Sequence, residues 1–306
     1  MFAKLPAKLF AMAATLLLLS GNAAKAADAN LVYLIDVGSK VSTKGADGSG
    51  KMNPWIAENF RGVPVTTGNF TSRITLESPV LVKDSTACCG KYGFQFKCRK
   101  SKKNRRLKRQ CPSAPVDKRA AFVNVTIRDL QSSDAYGGAI STTRTYPNMM
   151  LYLSNVYIDP NWPTWISYSK TNKDGLVLDS ADEIFAEDVT IKRWSDAAID
   201  NKALRSQFVR LNASGAGNHT IRYWRVGPHY LVDSSLTNPG GHGEGTLMWF
   251  KTCAGAVVNI FNSKFNGSAT VPANKIKCKD GGTPKLNYLK KDPRTTGEMH
   301  PMFTGR

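Results

Sequence analysis

Beyond its N-terminus the sequence has no apolar run approaching 18 residues, so it offers no candidate membrane-spanning helix. Acidic residues are scarce, 23 Asp and Glu against 42 Lys and Arg, for a formal net charge of +19. That imbalance points to a polyanionic partner or surface and is silent about fold. The cysteines contain no C-x-x-C pair, and the acids form no obvious cluster of three for calcium and no paired-Asp signature. What is present is ordinary: 306 residues, 42% apolar and 21% charged, which excludes wholesale disorder and allows one large domain or two.

Lys4 and Lys8 precede an apolar run from Leu9 to Leu19, and Ala24-Lys25-Ala26 has the form of a signal peptidase site. Residues 1–26 therefore read as a secretory signal, too short for a span. The expected product starts at Ala27, is secreted or periplasmic, and keeps 39 basic against 23 acidic residues, a net +16. Its six cysteines, Cys88, Cys89, Cys98, Cys111, Cys253 and Cys278, then favour disulfides over zinc. Cys253 and Cys278 form the natural late pair, while the other four lie within 24 residues.

A short pattern recurs: apolar, any, Asn or Asp, Val or Ser, any, apolar or small. Its copies centre on Asp84, Asn124, Asn155, Asp188, Asp233 and Asn262, with a weaker one at Asn212, at intervals of 40, 31, 33, 24, 21 and 29 residues. Each copy reads as two short strands meeting at an Asn/Asp turn, and stacked copies can form side-chain ladders. A second signal follows a polar loop at Gly138-Ala-Ile140, Gly175-Leu-Val177, Ala197-Ala-Ile199, His219-Thr-Ile221 and Gly245-Thr-Leu247. From Val177 its apolar anchors step by 22, 22 and 26 residues. Three strands in about 22 residues make one turn of a parallel β-helix; the alternative is a β-sandwich with chance repeats.

Over residues 72–268 this pattern resembles the right-handed parallel β-helix superfamily of pectate-lyase-like proteins. The expected organisation is a signal (1–26), a capping segment (27–71), the β-helix (72–268, with a basic Cys-bracketed insertion at 88–118) and a C-terminal clasp with a mobile tail (269–306). Leu31–Ile35 reads as a strand, and Pro54–Phe60 as a short helix. The resemblance implies a ligand lying across the sheet formed after the polar loop, on or beside a polysaccharide-active site. By analogy alone it would supply Ca2+; no cofactor is read from the residues themselves.

Aligning Ile199 with Ile221 makes Asp200 and Arg222 neighbours, with Lys202 and Trp224 two residues on; Asp196, Arg225 and Lys251 flank them, and Asp179 could join them from the previous coil. A carboxylate among cations suits acidic-sugar elimination, which needs a clamp on the uronate and a base for the alpha proton. Lys202 or His219 would be the base, and Arg222 or Lys251 the clamp; the alternative is an ion-pair ladder. His242 and Glu244, in the loop Pro239–Gly245, could exchange protons, or belong to a plain turn. His229 abuts a strand and reads as structural. Trp162, Trp165 and Tyr168 offer flat faces to sugars or form a lid over the core; Trp194 and Trp249 read as packing residues.

The stretch Lys97–Arg109 carries nine positive charges in thirteen residues, including Arg105, Arg106, Lys108 and Arg109, and without it the mature charge falls to about +7. A tethered polycation binds polyanions by counterion release; the bland alternative is a solvated loop. Export argues against nucleic acid and for acidic polysaccharide or envelope glycan. The expected function is a lyase-like enzyme acting on acidic polysaccharide, and the alternative is a non-catalytic glycan-binding or adhesion protein.

Overall fold

The computed structural model describes residues 52–96, 117–142, 148–179 and 181–304, all within one compact unit. The signal segment, the strand expected at Leu31–Ile35 and the basic stretch with Cys98 and Cys111 lie outside the described residues.

The chain is all-β, with two sheets in which every named strand pair is parallel. Numbering along the chain, β1 (Val65–Phe70), β3 (Val80–Ala87), β5 (Arg119–Arg128), β7 (Met149–Asp159), β9 (Ala181–Lys192), β11 (Arg205–Ser214), β13 (His229–Val232), β16 (Val257–Phe261) and β19 (Lys285–Tyr288) form the first sheet. The short β14 (Ser235–Thr237) and β17 (Lys264–Phe265) extend it beside β11. The second sheet runs β2 (Ile74–Leu76), β4 (Tyr92–Phe96), β6 (Tyr136–Ser141), β8 (Asn172–Leu178), β10 (Ala197–Asn201), β12 (His219–Tyr223), β15 (Thr246–Phe250) and β18 (Ile276–Cys278). Over most of the described residues the chain alternates between the two sheets, so each new strand lies beside an earlier strand of the same sheet.

The repeat sets the first sheet's register. Val82, Phe122, Leu153, Ala186, Phe208, Leu231 and Ile260 are successive register partners, and so are Ala87, Ile127, Ile158, Ile191, Ala213, Leu236 and Phe265. Between these positions the six expected turn residues all sit at positive φ, from 44° at Asn262 to 56° at Asn155. Asn and Asp tolerate this conformation because their short polar groups can bond locally. Asn124 Nδ2 donates to Asp84 Oδ1 at 3.0 Å, Asn155 Nδ2 to Asn124 Oδ1 at 3.1 Å, and Asn262 Nδ2 to Asp233 Oδ1 at 2.7 Å.

The weak copy is corrected: its turn is at Arg210 (φ 54°), not Asn212. Leu211 pairs with Val189, which puts Arg210 level with Asp188, and the guanidinium makes the cross-strand bond instead, Nε to Asp188 Oδ1 at 2.6 Å. A second turn column was not expected. Asp129, Asn161 and Arg193 also have positive φ, and Asn161 Oδ1 accepts from Arg193 Nη1 at 2.7 Å.

In the second sheet Ile74, Phe94, Ile140, Leu176, Ile199, Ile221, Met248 and Ile276 are register partners. The expected anchors Val177 and Leu247 are thus each one residue off. Because a strand's side chains alternate, that slip reverses the face on which they lie. One apolar cluster fills the space between the sheets.

A second cluster covers the outer side of the first sheet, where Leu81, Ala121, Tyr152 and Phe185 are register partners. Helix α1 (Pro54–Asn59), at the expected place, packs there. Asn53 caps it, its Oδ1 accepting from Trp55 N at 2.9 Å, and Pro54 occupies the first turn, where no N–H is needed. Asn53 Nδ2 donates to Glu187 Oε1 and to the carbonyl of Met302, tying α1 to both the sheet and the end of the chain.

Residues 269–304, expected as a clasp and a mobile tail, carry regular structure. They add β18 and β19 to the two sheets, and Met302 and Phe303 are buried in the α1 cluster. Cys253 and Cys278 form the expected disulfide near this end. Cys88 bonds its neighbour Cys89, a pairing that spacing had left open.

Candidate functional site on the second sheet

The outward residues of the second sheet form a line seven strands long: Gln95, Ser141, Val177, Asp200, Arg222, Trp249 and Lys277 are consecutive register partners. Asp200 and Arg222 are therefore neighbours as expected. A second line follows just past the strand ends. The backbone N–H groups of Lys202, Trp224, Lys251 and Lys279 donate in turn to the carbonyls of Leu178, Asn201, Tyr223 and Phe250, one strand before. Parallel strands about 4.8 Å apart thus present two rungs per strand to anything lying across the sheet.

Trp224 is the centre of this surface. The Lys202 ammonium and the Arg222 guanidinium each lie 5.2 Å from its ring, and Lys251 Nζ lies 5.7 Å away. Its Nε1 donates to Asp200 Oδ1 at 2.5 Å. Arg222 also lies over Trp249, at 5.2 Å. Trp249 thus packs within the line of outward groups and not in the core.

The cations divide into two sets. Lys202 contacts Asp200 Oδ2 at 2.5 Å and also pairs with Asp179. Burial pulls its pKa down, but Asp200 and Asp179 outweigh that and raise it, so the ammonium is held charged. Arg222 donates Nη1 to Asp196 Oδ2 at 2.7 Å and lies 3.8 Å from Asp200 Oδ1. Asp196 is almost wholly buried beneath it, too deep for the substrate contact expected of it. Burial drives the Asp196 pKa up against Arg222 and the Asn218 amide. In the second set, Arg225, Lys251 and Lys279 have no carboxylate partner among the described residues, and all reach the surface.

His219 is buried, with Asn218 Nδ2 donating to its Nε2 at 3.0 Å and its Nδ1 bonded to Thr246 Oγ1 at 2.8 Å. Burial, then Arg222 and Lys277, lower its pKa to about 3, so it is neutral with both nitrogens engaged. Glu244 pairs with Lys277 at 2.5 Å and lies 3.8 Å from His219 Nδ1; no hydrogen bond joins it to His242 among the described residues. Gly243 (φ 60°) is required, since a Cβ there would strike Asn218 and Trp165. The glycine loop therefore packs directly on the aromatic loop.

The expected aromatics separate. Trp162 is buried against Gly137 and Lys173, a packing residue and not a sugar platform. Trp165 is half-buried beside Gly243, and Tyr168 is exposed, edge-on to Tyr136 at 6.3 Å. Tyr168 opens helix α2 (Tyr168–Thr171) and lines a cleft of about 290 Å³ with Tyr92, Gln95, Tyr136, Asp174, Asp179, Asp200, Lys202 and Trp224. Trp194 is buried, as expected. His229 is fully buried, its Nδ1 bonded to Ser206 Oγ at 2.8 Å and its Nε2 to the Arg225 carbonyl at 3.0 Å.

Tyr92, Gln95, Tyr136 and Asp174 were not foreseen. Asp174 accepts from the Ala197 amide at 2.8 Å, and burial, then repulsion by Asp196 and Asp200, push its pKa well up. No group of three or more His, Cys, Asp or Glu among the described residues is placed to hold a metal ion. Comparison with family models, with curated proteins and with solved structures returns no match.

Proposed function

We propose that the two parallel sheets are faces of a right-handed parallel β-helix of the pectate-lyase-like kind, exported from the cytoplasm, and that the outer face of the second sheet binds an acidic polysaccharide without cleaving it. Strands that alternate between two all-parallel sheets support the fold reading, and parallel crossovers are right-handed in nearly all proteins.

One observation carries the functional reading. Beside the Trp224 face stands Lys251, a cation with no carboxylate partner among the described residues, and Lys279, also without one, continues its line to the next strand. Flat aromatic faces stack on sugar rings while ammonium and guanidinium groups take carboxylates. One strand spacing is close to the length of a pyranose residue, so a polymer lying along the lines meets a fresh contact at each unit.

Elimination is poorly served. A base must be free to take a proton, yet Lys202 is held charged between two carboxylates and both His219 nitrogens are bonded. These two contacts support the binder reading over the lyase reading. Incubating the full chain with polygalacturonate and alginate tests it: both should be retained on the protein with no rise in ultraviolet absorbance from unsaturated uronate. A rise would restore the lyase, and retention of neither polymer would contradict binding.

A further inference from the structure

We infer that the tyrosine-walled end of the cleft is a subsite for a sugar bearing a protonated amine, a 2-amino-2-deoxyhexose. The inference rests on the proposal that a glycan lies across the second sheet, and adds a second chemical class of residue to it.

The two ends of that surface have opposite character. Toward β18 the outward groups are Trp224, Trp249, Lys251, Lys277 and Lys279, which suit anionic sugars. Toward β4 the cleft is lined by Asp174, Asp179 and Asp200, with Lys202 as the lysine among its lining residues. Asp179 and Asp200 share that lysine, and Arg222, which also lies 3.8 Å from Asp200, is hydrogen-bonded to Asp196, so the carboxylates outnumber the cations held among them. An anionic sugar would be repelled there and a neutral one would leave the excess charge standing; an ammonium supplies the missing positive charge and three donors.

A second observation is independent of the acids. Gln95, at the β4 end of the outward line, is 6% exposed, lines the cleft, and its Oε1 is buried without a hydrogen-bond partner. Buried acceptors are rarely left unbonded in folded proteins, so this one is matched to a donor brought by a ligand. Tyr92, Tyr136, Tyr168 and Trp224 supply the flat faces that a sugar ring and an adjacent cation both favour. A cavity of about 290 Å³ lies at the small end of ligand pockets.

The test titrates the full chain calorimetrically with three hexamers: β-1,4-linked glucosamine, its N-acetylated form, and cellohexaose. A charge-assisted bond in this cleft should make the free-amine hexamer about tenfold tighter than either neutral one. Gln95→Met, which keeps the side-chain volume and removes the acceptor, should weaken the amine hexamer several-fold while leaving the melting temperature unchanged. Equal affinity for all three hexamers, or an unchanged amine affinity in Gln95→Met, with polygalacturonate still bound, overturns the amine subsite. Failure of the wild type to bind polygalacturonate overturns instead the glycan reading beneath it.

Discussion

The Lys202 ammonium is held between Asp200, whose Oδ2 lies 2.5 Å away, and Asp179 at the end of the preceding strand. The lysine expected as a base is thereby turned into a clasp between two neighbouring strands. Lys202→Met should destabilise the fold by about 1–3 kcal/mol, because it leaves two part-buried carboxylates facing each other. Polygalacturonate affinity should change little. Equilibrium denaturation and a binding titration on the same variant separate the two roles, and a folded variant that no longer binds would show that Lys202 is more than a clasp.

The turn ladder makes its own prediction. Asn155→Leu places a branched side chain at φ 56° and removes the bond to Asn124, and should cost about 1–3 kcal/mol. Asn155→Gly keeps the backbone conformation and loses the side-chain bond alone, so it should cost less. Thermal melts showing glycine to be the worse of the two would mean that positive φ does not govern this position.

Acid should weaken the protein through its buried histidines. Burial, opposed by the bond to the Arg225 carbonyl, lowers the His229 pKa to about 4, and His219 is lowered further. An unfolded histidine titrates near 6.5. As the pH falls below that value the unfolded chain takes up protons that the native state refuses, so stability drops until the folded pKa is reached. For His229 the full loss is on the order of 3 kcal/mol. His229→Gln should be less stable at pH 7 yet lose less on going to pH 5 than wild type does. Parallel losses in urea titrations would rule out His229 as a source.

How much of this was legible follows from which residues carry two signals at once. Asp84, Asn124, Asn155, Asp188, Asp233 and Asn262 are both turn formers and flanked by inward apolar positions, so composition and spacing agreed there. Arg210 does the same work with a residue that rarely enters left-handed backbone, so the pattern points instead to the nearby turn former Asn212. On β8 and β15 the neighbours Leu176-Val177 and Leu247-Met248 are both apolar, and alternation cannot choose between them. The middle strands, with one clear isoleucine each, put Asp200 beside Arg222 correctly. Asp174, Tyr92 and Tyr136 carry no motif, and only the register brings them to one cleft.

The central claim is that the second sheet, and not only the basic stretch, grips an acidic polymer. The decisive measurement is the salt dependence of polygalacturonate binding in a background where Arg105, Arg106, Lys108 and Arg109 are glutamine, with and without Lys251→Gln and Lys279→Gln. Each cation that neutralises a polymer charge adds to the slope of log affinity against log salt. With the tethered polycation removed, binding should persist with a measurable slope, and the two sheet substitutions should lower affinity about tenfold and flatten that slope. Loss of all binding in the background alone, or the same affinity and slope with and without the sheet lysines, would contradict the account.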